Sequence, residues 1–267
     1  VIGSPIAHSR SPALFSYWLK QHGVRGHYVP MDVSQADLET VLNTLPKMGF
    51  VGVNVTIPHK EKALQLADVI TDRAALIGAV NTLTFRDDKI YADNTDGHGF
   101  VANFRQKAPG WDPKSGPAAV LGAGGASRAV VHSLINLGVV DIRLANRSRP
   151  RAEALRKEFG PKITLYDWVQ AGNMFEGAAT VVNTTSLGMT GKPEFRVPLD
   201  GLEAGAVVGD LVYTPLETAF LRQAEATGCQ IVDGLGMLLH QAVPGFERWF
   251  GLAPTVDDAT RKVVLGR

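Results

Sequence analysis

The chain has 267 residues, 45% of them apolar, and a formal net charge of +1. That length holds one large domain or two modest ones with a sizeable core, and the near-neutral charge excludes a general pull toward nucleic acid or membrane surfaces. No apolar run approaches the roughly 18 residues that span a bilayer, and the single cysteine, Cys229, rules out an intrachain disulfide and fits a reducing cytoplasm.

Val1-Ile2-Gly3 reads as the end of a strand already under way, so residues are expected upstream, and no basic-then-apolar leader opens the chain. Ser11-Pro12 predicts a helix through Leu14, Phe15, Trp18 and Leu19, with Ser11 as N-cap and Pro12 in the first turn. Phe50 to Ile57 predicts a buried strand, and Pro58-His59-Lys60-Glu61-Lys62 opens a second helix. Ala79 to Phe85 and Lys89 to Ala92 pair around an Asp87-Asp88 turn; after Asp93-Asn94-Thr95-Asp96-Gly97 a helix carries Phe100, Val101 and Phe104. The breaker-rich stretch Ala108 to Pro117 marks a domain seam. From Ala118 the order is strand, glycine turn, helix to Gly138, strand Ile142–Ala145 and a basic loop, with further strands at Ala179 to Asn183, Val207 to Leu211 and Gln230 to Val232. Cys229 reads as a small strand residue, not a nucleophile. Met237 to Phe250 predicts a helix with Leu238, Leu239, Ala242, Val243 and Phe246 as its core face. The alternation throughout is that of an α/β protein.

The glycine cluster Gly122-Ala123-Gly124-Gly125-Ala126 lies between an apolar strand and a helix-forming stretch. Glycines there let the backbone turn sharply toward a pyrophosphate, and free N–H groups of the helix start face the anion. Taken alone, the glycines also suit an ordinary strand-to-helix turn, and the sixth position of G-x-G-x-x-G is Ser127, small enough for close helix packing. Where an NAD-binding unit places Asp or Glu on the ribose 2′-hydroxyl, the chain has Asn146-Arg147-Ser148-Arg149-Pro150-Arg151. An amide, a hydroxyl and guanidinium groups suit a 2′-phosphate and point to NADP(H); Arg149 is the one of the three arginines that reads as a solvated helix start.

Other polar residues gather at element ends. Ser9 and Ser11 flank Arg10 at a helix start, where hydroxyls and N–H groups either hold a carboxylate or simply cap. Thr56 and Lys60 flank a strand-to-helix junction, Asn81 follows the small-residue turn Gly78-Ala79, and Asp96 precedes a helix. Lys60 alone reads as a solvated lysine, and Asp96 alone reads equally well as an N-cap. Together with Thr56 and Asn81 they supply hydrogen bonds and a proton donor of the kind a polyhydroxylated ketone requires.

The segments Ser4-Pro5-Ile6-Ala7-His8-Ser9-Arg10-Ser11-Pro12, Asn54-Val55-Thr56-Ile57-Pro58-His59-Lys60, Gly78-Ala79-Val80-Asn81-Thr82 and Asn94-Thr95-Asp96-Gly97 resemble shikimate dehydrogenase motifs, in order along the chain. So do Gly122 to Ala126, Asn146-Arg147-Ser148 with Arg151, Asn183 to Met189, and Asp233 to Leu238 followed by Gln241. The resemblance implies an NADPH-dependent, reversible reduction of 3-dehydroshikimate to shikimate. It implies two α/β domains, an N-terminal substrate domain and a Rossmann-type NADP-binding domain, with the active-site cleft between them. The expected boundaries are 1–100 for the substrate domain, completed by C-terminal helices in 237–267, and 101–236 for the cofactor domain. By the same resemblance Ser9 and Ser11, with Tyr213 nearby, would hold the substrate carboxylate. Thr56, Asn81, Asp96 and Gln241 would hold ring hydroxyls and carbonyl, and Lys60 with Asp96 would form the catalytic pair. Gly122, Ala123, Gly124, Gly125, Ala126, Asn146, Arg147, Ser148 and Arg151 would cradle the cofactor. Thr185 and Met189 would line its nicotinamide side, and Leu211 and Gly234 would reach it through backbone groups. Asp72 matches a family position near the cofactor and equally reads as a helix-end acid. Ser148 stands where threonine is common, and Thr184 where a smaller residue is usual.

The resemblance leaves a quinate/shikimate dehydrogenase with NAD use as the nearest rival, against which Arg147 and Arg151 count. A non-catalytic NADP(H) sensor would be expected to lack Lys60 or Asp96, and a folate-interconverting dehydrogenase would not explain Ser9-Arg10-Ser11-Pro12. No metal is expected, since the seven histidines show no ligand spacing; His8 and His59 sit beside the site. The expected setting is cytoplasmic, the partner a small molecule, with no nucleic acid or membrane, and the state a monomer or homodimer.

Overall fold

Short apolar strands separated by helix-starting polar residues build the first part of the chain: β1 (Ile2–Gly3), α1 (Ser11–Gln21), β2 (Met31–Asp32), α2 (Leu38–Thr44), β3 (Gly52–Asn54), α3 (Lys60–Gln65), β4 (Val69–Ile70), α4 (Asp72–Ile77), β5 (Thr82–Arg86), β6 (Lys89–Asp93) and α5 (Asp96–Lys107). The computed structural model describes residues 1–266 and separates into two compact units, one of Val1–Gly99 with the segment from Leu238 onward, the other Phe100–Met237. The dividing points fall inside helices, and the Ala108–Pro117 stretch lies wholly in the second unit.

In the first unit β1 pairs with β2 in parallel, and a four-stranded sheet runs in the order β3-β5-β6-β4. A bridge from Ile2 to Val55 ties the two pieces. β5 and β6 form an antiparallel hairpin whose turn residues, Asp87 and Asp88, both have positive φ (51° and 55°), a conformation that short polar side chains tolerate. The strand expected from Phe50 to Ile57 is shorter. Val53 to Val55 are buried, but the chain leaves the sheet after Val55 and Ile57 is 68% exposed. Ser11 is not the N-cap of α1 but its first residue; Arg10 holds the cap position, and Ser9 Oγ accepts from the Ser11 N–H at 3.3 Å.

The second unit continues with β7 (Ala118–Leu121), α6 (Gly125–Asn136), β8 (Ile142–Ala145), α7 (Arg149–Phe159), β9 (Ile163–Tyr166), β10 (Thr180–Asn183), β11 (Val207–Asp210), α8 (Ala219–Ala226) and β12 (Gln230–Val232). Its six strands are all parallel in the order β12-β11-β10-β7-β8-β9. Their near-continuous Ala, Val, Ile and Leu content is what a sheet covered on both faces requires, and two apolar clusters, around Val130 and Leu134 and around Phe175 and Phe220, contain its strand residues. The strand order reverses between β7 and β10, so the loops after both strands meet at a topological switch point, where doubly wound sheets bind ligands. Cys229 is buried and stands one residue before β12.

Two further helices, α9 (Gly234–Phe250) and α10 (Asp258–Leu265), end the described chain. α9 begins earlier than Met237. Leu239, Ala242 and Phe246 are buried as expected, whereas Leu238 and Val243 are half-buried. In the first unit Phe246 and Trp249 of α9 join Phe15, Trp18 and Tyr28 in one aromatic cluster. Each fully buried ring of this kind contributes roughly 2 kcal/mol of apolar burial.

Candidate active site

In the first unit four of the expected residues meet. Lys60, at the start of α3, forms an ion pair with Oδ2 of Asp96, the first residue of α5, and both side chains are largely buried, at 13% and 7% exposure. The other Asp96 oxygen accepts from Asn81 Nδ2 at 2.9 Å. The same amide nitrogen reaches Gln241 Oε1 of α9 and Thr95 Oγ1, each at 2.9 Å. The Thr95 N–H donates to Asn81 Oδ1 at 2.8 Å, which fixes the amide's orientation and leaves its NH₂ for Asp96 and Gln241. The result is a buried cluster in which one amide sets both the carboxylate and the glutamine, and the carboxylate sets the ammonium. An ion pair so placed is costly to break from one side, because the remaining charge is left desolvated.

Ser9, Ser11 and Thr56 stand outside that bonded set among the described residues. Ser11 is buried, while Ser9 and Thr56 are half-buried. The Ser4 N–H donates to the Ile57 carbonyl and the Thr56 N–H to the Ile2 carbonyl, so the two loops that carry them are laced together. His59 is buried with Nε2 2.8 Å from the Val33 carbonyl, a loop-bracing contact; His8 is exposed. Asp72 is exposed in the first turn of α4, whose cap is Thr71. It belongs to the first unit, whereas every other expected cofactor residue belongs to the second, as does Tyr213.

Three features of the first-unit site are not foreseen from the sequence. Thr95 donates to the Gln241 carbonyl at 2.8 Å and so pins α9 to the turn that carries Asp96. Asp93, just before that turn, accepts from Thr71 and pairs with both Arg73 and Arg248. Although its burial opposes ionisation, the guanidinium groups and the Thr71 hydroxyl hold its carboxyl well below the usual range. A polar run persisting through a buried strand end, Asp93-Asn94-Thr95-Asp96, is the signal that could have revealed both. The third is His240, which burial, then His98 and Arg261, push down to about 4.

In the second unit the glycine loop follows β7. Gly122 has φ +110°, and a side chain there would run into Thr184 at the switch point. Gly124 is the N-cap of α6, and an added Cβ would meet only open space. The backbone at Gly124 and the start of this three-turn helix are therefore accessible to an anion. Ser127 is buried and donates to the Gly122 carbonyl at 2.6 Å, so the serine in the last motif position ties the loop to the helix. Thr184 donates to the Leu121 carbonyl at 2.6 Å. After β8, Asn146 Nδ2 holds the Ser148 carbonyl at 2.9 Å. Arg149 pairs with Glu153 and Asp167. Arg147 and Arg151 are exposed, with no ion pair among the described residues. The open helix start, the absence of a carboxylate at the end of β8 and two uncommitted guanidinium groups fit a phosphorylated dinucleotide.

Thr185 and Met189 lie in the loop after β10, half-buried, and Leu211 follows β11. Asp210, not foreseen, braces these loops. It accepts from Asn183 Nδ2 at 2.9 Å, the Val212 N–H at 3.0 Å and Thr218 Oγ1 at 2.7 Å. Burial pushes its carboxyl up to about 6 despite these three donors. Gly234 is packed against the Leu211 backbone too closely for any side chain. No described helix is long and apolar enough to cross a membrane.

Known proteins match the chain along most of its length. Residues 1–83 match the shikimate dehydrogenase substrate binding domain, residues 106–187 the shikimate / quinate 5-dehydrogenase family, and residues 234–264 the shikimate 5'-dehydrogenase C-terminal domain. The chain is 71% identical over 266 residues to a shikimate dehydrogenase (NADP(+)) of Cereibacter sphaeroides, covering 99% of this chain and 95% of that one. Among solved structures, it is similar to the shikimate 5-dehydrogenase of Thermus thermophilus in complex with NADP(H) and shikimate (36% identity, TM-score 0.88, 99% and 97% covered). It is also similar to a quinate dehydrogenase of Corynebacterium glutamicum in complex with NAD (32% identity, TM-score 0.91, 100% and 97% covered). On these family matches and this identity, the chain belongs to the shikimate dehydrogenase family.

Proposed function

We propose that this chain catalyses the NADP(H)-dependent interconversion of 3-dehydroshikimate and shikimate, with Lys60 and Asp96 as the catalytic pair. The observation that carries the reading is the buried cluster in which Asn81 joins Asp96 and Gln241 while Asp96 pairs with Lys60. When bound, NADP(H) supplies or accepts the hydride. The Lys60 ammonium stabilises the developing alkoxide and gives it a proton; in the reverse direction its free amine takes the hydroxyl proton. Asp96 orients that nitrogen, and Asn81 keeps Asp96 from turning away. Thr56, Asn81 and Gln241 hold the ring hydroxyls, and Ser9, Ser11 and Tyr213 the carboxylate.

The same reading gives residues 1–100 with 237–267 to the substrate and 101–236 to the cofactor. Gly122, Ala123, Gly124, Gly125 and Ala126 take the pyrophosphate, and Asn146, Arg147, Ser148 and Arg151 the 2′-phosphate. Thr185, Met189, Leu211 and Gly234 adjoin the nicotinamide, with Asp72 beside the cofactor. The setting is the cytoplasm, where the buried Cys229 stays reduced, and the enzyme works as a monomer or homodimer. Initial rates of shikimate and quinate oxidation with NADP⁺ and NAD⁺ test the reading. Activity confined to shikimate with NADP⁺ is expected; comparable quinate or NAD⁺ turnover moves the chain to the broader dehydrogenases, and no turnover with any pair removes the catalytic reading.

A further inference from the structure

In the second unit, β10 ends on Asn183, whose side chain is fully buried and whose amide has one possible orientation. Its Nδ2 donates to Asp210 Oδ1 at 2.9 Å and to the Leu187 carbonyl at 3.3 Å, and its Oδ1 accepts from the Thr185 N–H at 3.0 Å. A backbone carbonyl can only accept and a backbone N–H can only donate, so the amide cannot be turned over. Asp210 also takes the Val212 N–H and the Thr218 hydroxyl, and so anchors the amide to the neighbouring strand β11. Thr185 Oγ1 lies 2.7 Å from the same Asn183 oxygen. Two oxygens at that distance need a proton between them, and only the threonine has one. The Thr185 hydroxyl accepts in turn from the Leu187 N–H at 3.1 Å. Its proton and one lone pair are therefore used, each by a group whose part is fixed by its covalent chemistry.

One lone pair of the Thr185 hydroxyl is left. The residue is half-buried and stands beside the glycine turn, where a Cβ on Gly122 would lie 3.1 Å from its Cγ2. Toward a ligand, then, Thr185 can accept and cannot donate. A nicotinamide carboxamide carries both a carbonyl and an NH₂, and only the NH₂ suits such a partner. We propose that Asn183 is a positioning residue that commits the Thr185 hydroxyl to accepting, so that Thr185 takes the carboxamide N–H and disfavours a carbonyl or carboxylate in its place. The inference rests on the reading of Thr185 as lining the nicotinamide side.

The test is the Kd, by titration calorimetry, of NADP⁺ and two analogues. The 3-acetylpyridine analogue keeps the carbonyl and lacks the N–H; the nicotinic acid analogue has a carboxylate that can only accept. Thr185→Val is expected to lower the preference for NADP⁺ over the acetylpyridine analogue about tenfold, the scale of one hydrogen bond left unmade. Thr185→Ser, which keeps the hydroxyl, is expected to hold it. Asn183→Ala frees the Thr185 proton to turn to a carbonyl, so the preference falls, and in the Thr185→Val background the same substitution is expected to add nothing. The nicotinic acid analogue decides the point without altering the buried Asn183: Thr185→Val is expected to bind it more tightly than the unaltered enzyme, because an oxygen lone pair no longer faces the carboxylate. The proposal is overturned if Thr185→Val weakens NADP⁺ and the acetylpyridine analogue in step, or if it binds the nicotinic acid analogue more weakly, which would mean that the hydroxyl donates. If Thr185→Val changes the Kd of none of the three, Thr185 does not adjoin the nicotinamide and the proposal falls with that reading, an outcome distinct from the other two.

Discussion

In the proposed reaction Lys60 is the residue on which the chemistry turns, and in isolation it is the least conspicuous. A lysine at the start of a helix is usually solvated; here the side chain is 13% exposed and engaged by a carboxylate that is itself held by an amide. Replacing Lys60 with alanine removes the proton donor and leaves Asp96 unpaired. Steady-state kinetics should show kcat falling by roughly 10²–10⁴, the usual worth of a positioned acid or base, with the shikimate KM changed far less. A loss carried wholly in KM would make Lys60 a binding residue and nothing more. A thermal melt of the same variant should show a lower Tm, since one partner of a buried pair has been taken away. That Lys60 and Asp96 meet was legible only through the family resemblance of the segments that carry them, since each alone reads as a solvated lysine or a helix cap. The role of Thr95 was not, because a hydroxyl's partner depends on which helix packs above it, and that helix lies 146 positions away in sequence.

At the scale of elements, the junction from β8 into α7 tests the cofactor assignment. Arg149 is engaged by Glu153 and Asp167, which leaves Arg147 and Arg151 to meet a ligand. Arg151→Ala should raise the KM for NADPH by about tenfold, the worth of one charge-assisted contact, and leave the KM for NADH nearly unchanged. Equal shifts for the two cofactors would remove the 2′-phosphate clamp. The strand–glycine–helix pattern around Gly122 was readable because strand, turn and helix chemistry agree over a short span. Elsewhere local pattern misled. The apolar run from Phe50 to Ile57 reads as one strand, yet only its middle is buried, since the chain turns away after Val55 to present Thr56 and Lys60. β9 and α8 escaped notice because each is short with mixed polarity, and what defines them is a neighbour: β8 for the strand, β12 for the helix. Ser11 missed its expected cap role because the helix begins one residue earlier than its capping chemistry suggests, which leaves Ser9 to meet the freed N–H.

At the scale of the whole molecule, the two units carry titrating groups of opposite sign, so acid should act on them differently. In the first unit His240 is lowered from 6.5 to about 4 by burial and by the charges of His98 and Arg261. Between those values the unfolded chain binds the proton and the folded one does not, so the contribution is complete above pH 6.5 and is lost as pH falls through 4; its partial exposure limits it to about 2 kcal/mol. Asp93, also in this unit, is depressed by Arg73 and Arg248 against its own burial and loses its contribution at still lower pH. In the second unit Asp210 is raised from 3.8 to about 6 by burial. Its contribution is complete below pH 3.8 and is lost as pH rises through 6, an effect of about 3 kcal/mol at one pKa unit per 1.36 kcal/mol. Acidification from pH 7 to pH 4.5 should therefore weaken the first unit and strengthen the second. Hydrogen exchange read by mass spectrometry, corrected for the intrinsic pH dependence of exchange, should show protection falling in the C-terminal part of α9 and in α10 while it holds or rises in β10 and β11. Asp210→Asn should abolish the gain in the second unit and leave the first unit's loss in place. Loss of protection in both units to the same extent would mean that these buried groups do not set the acid response.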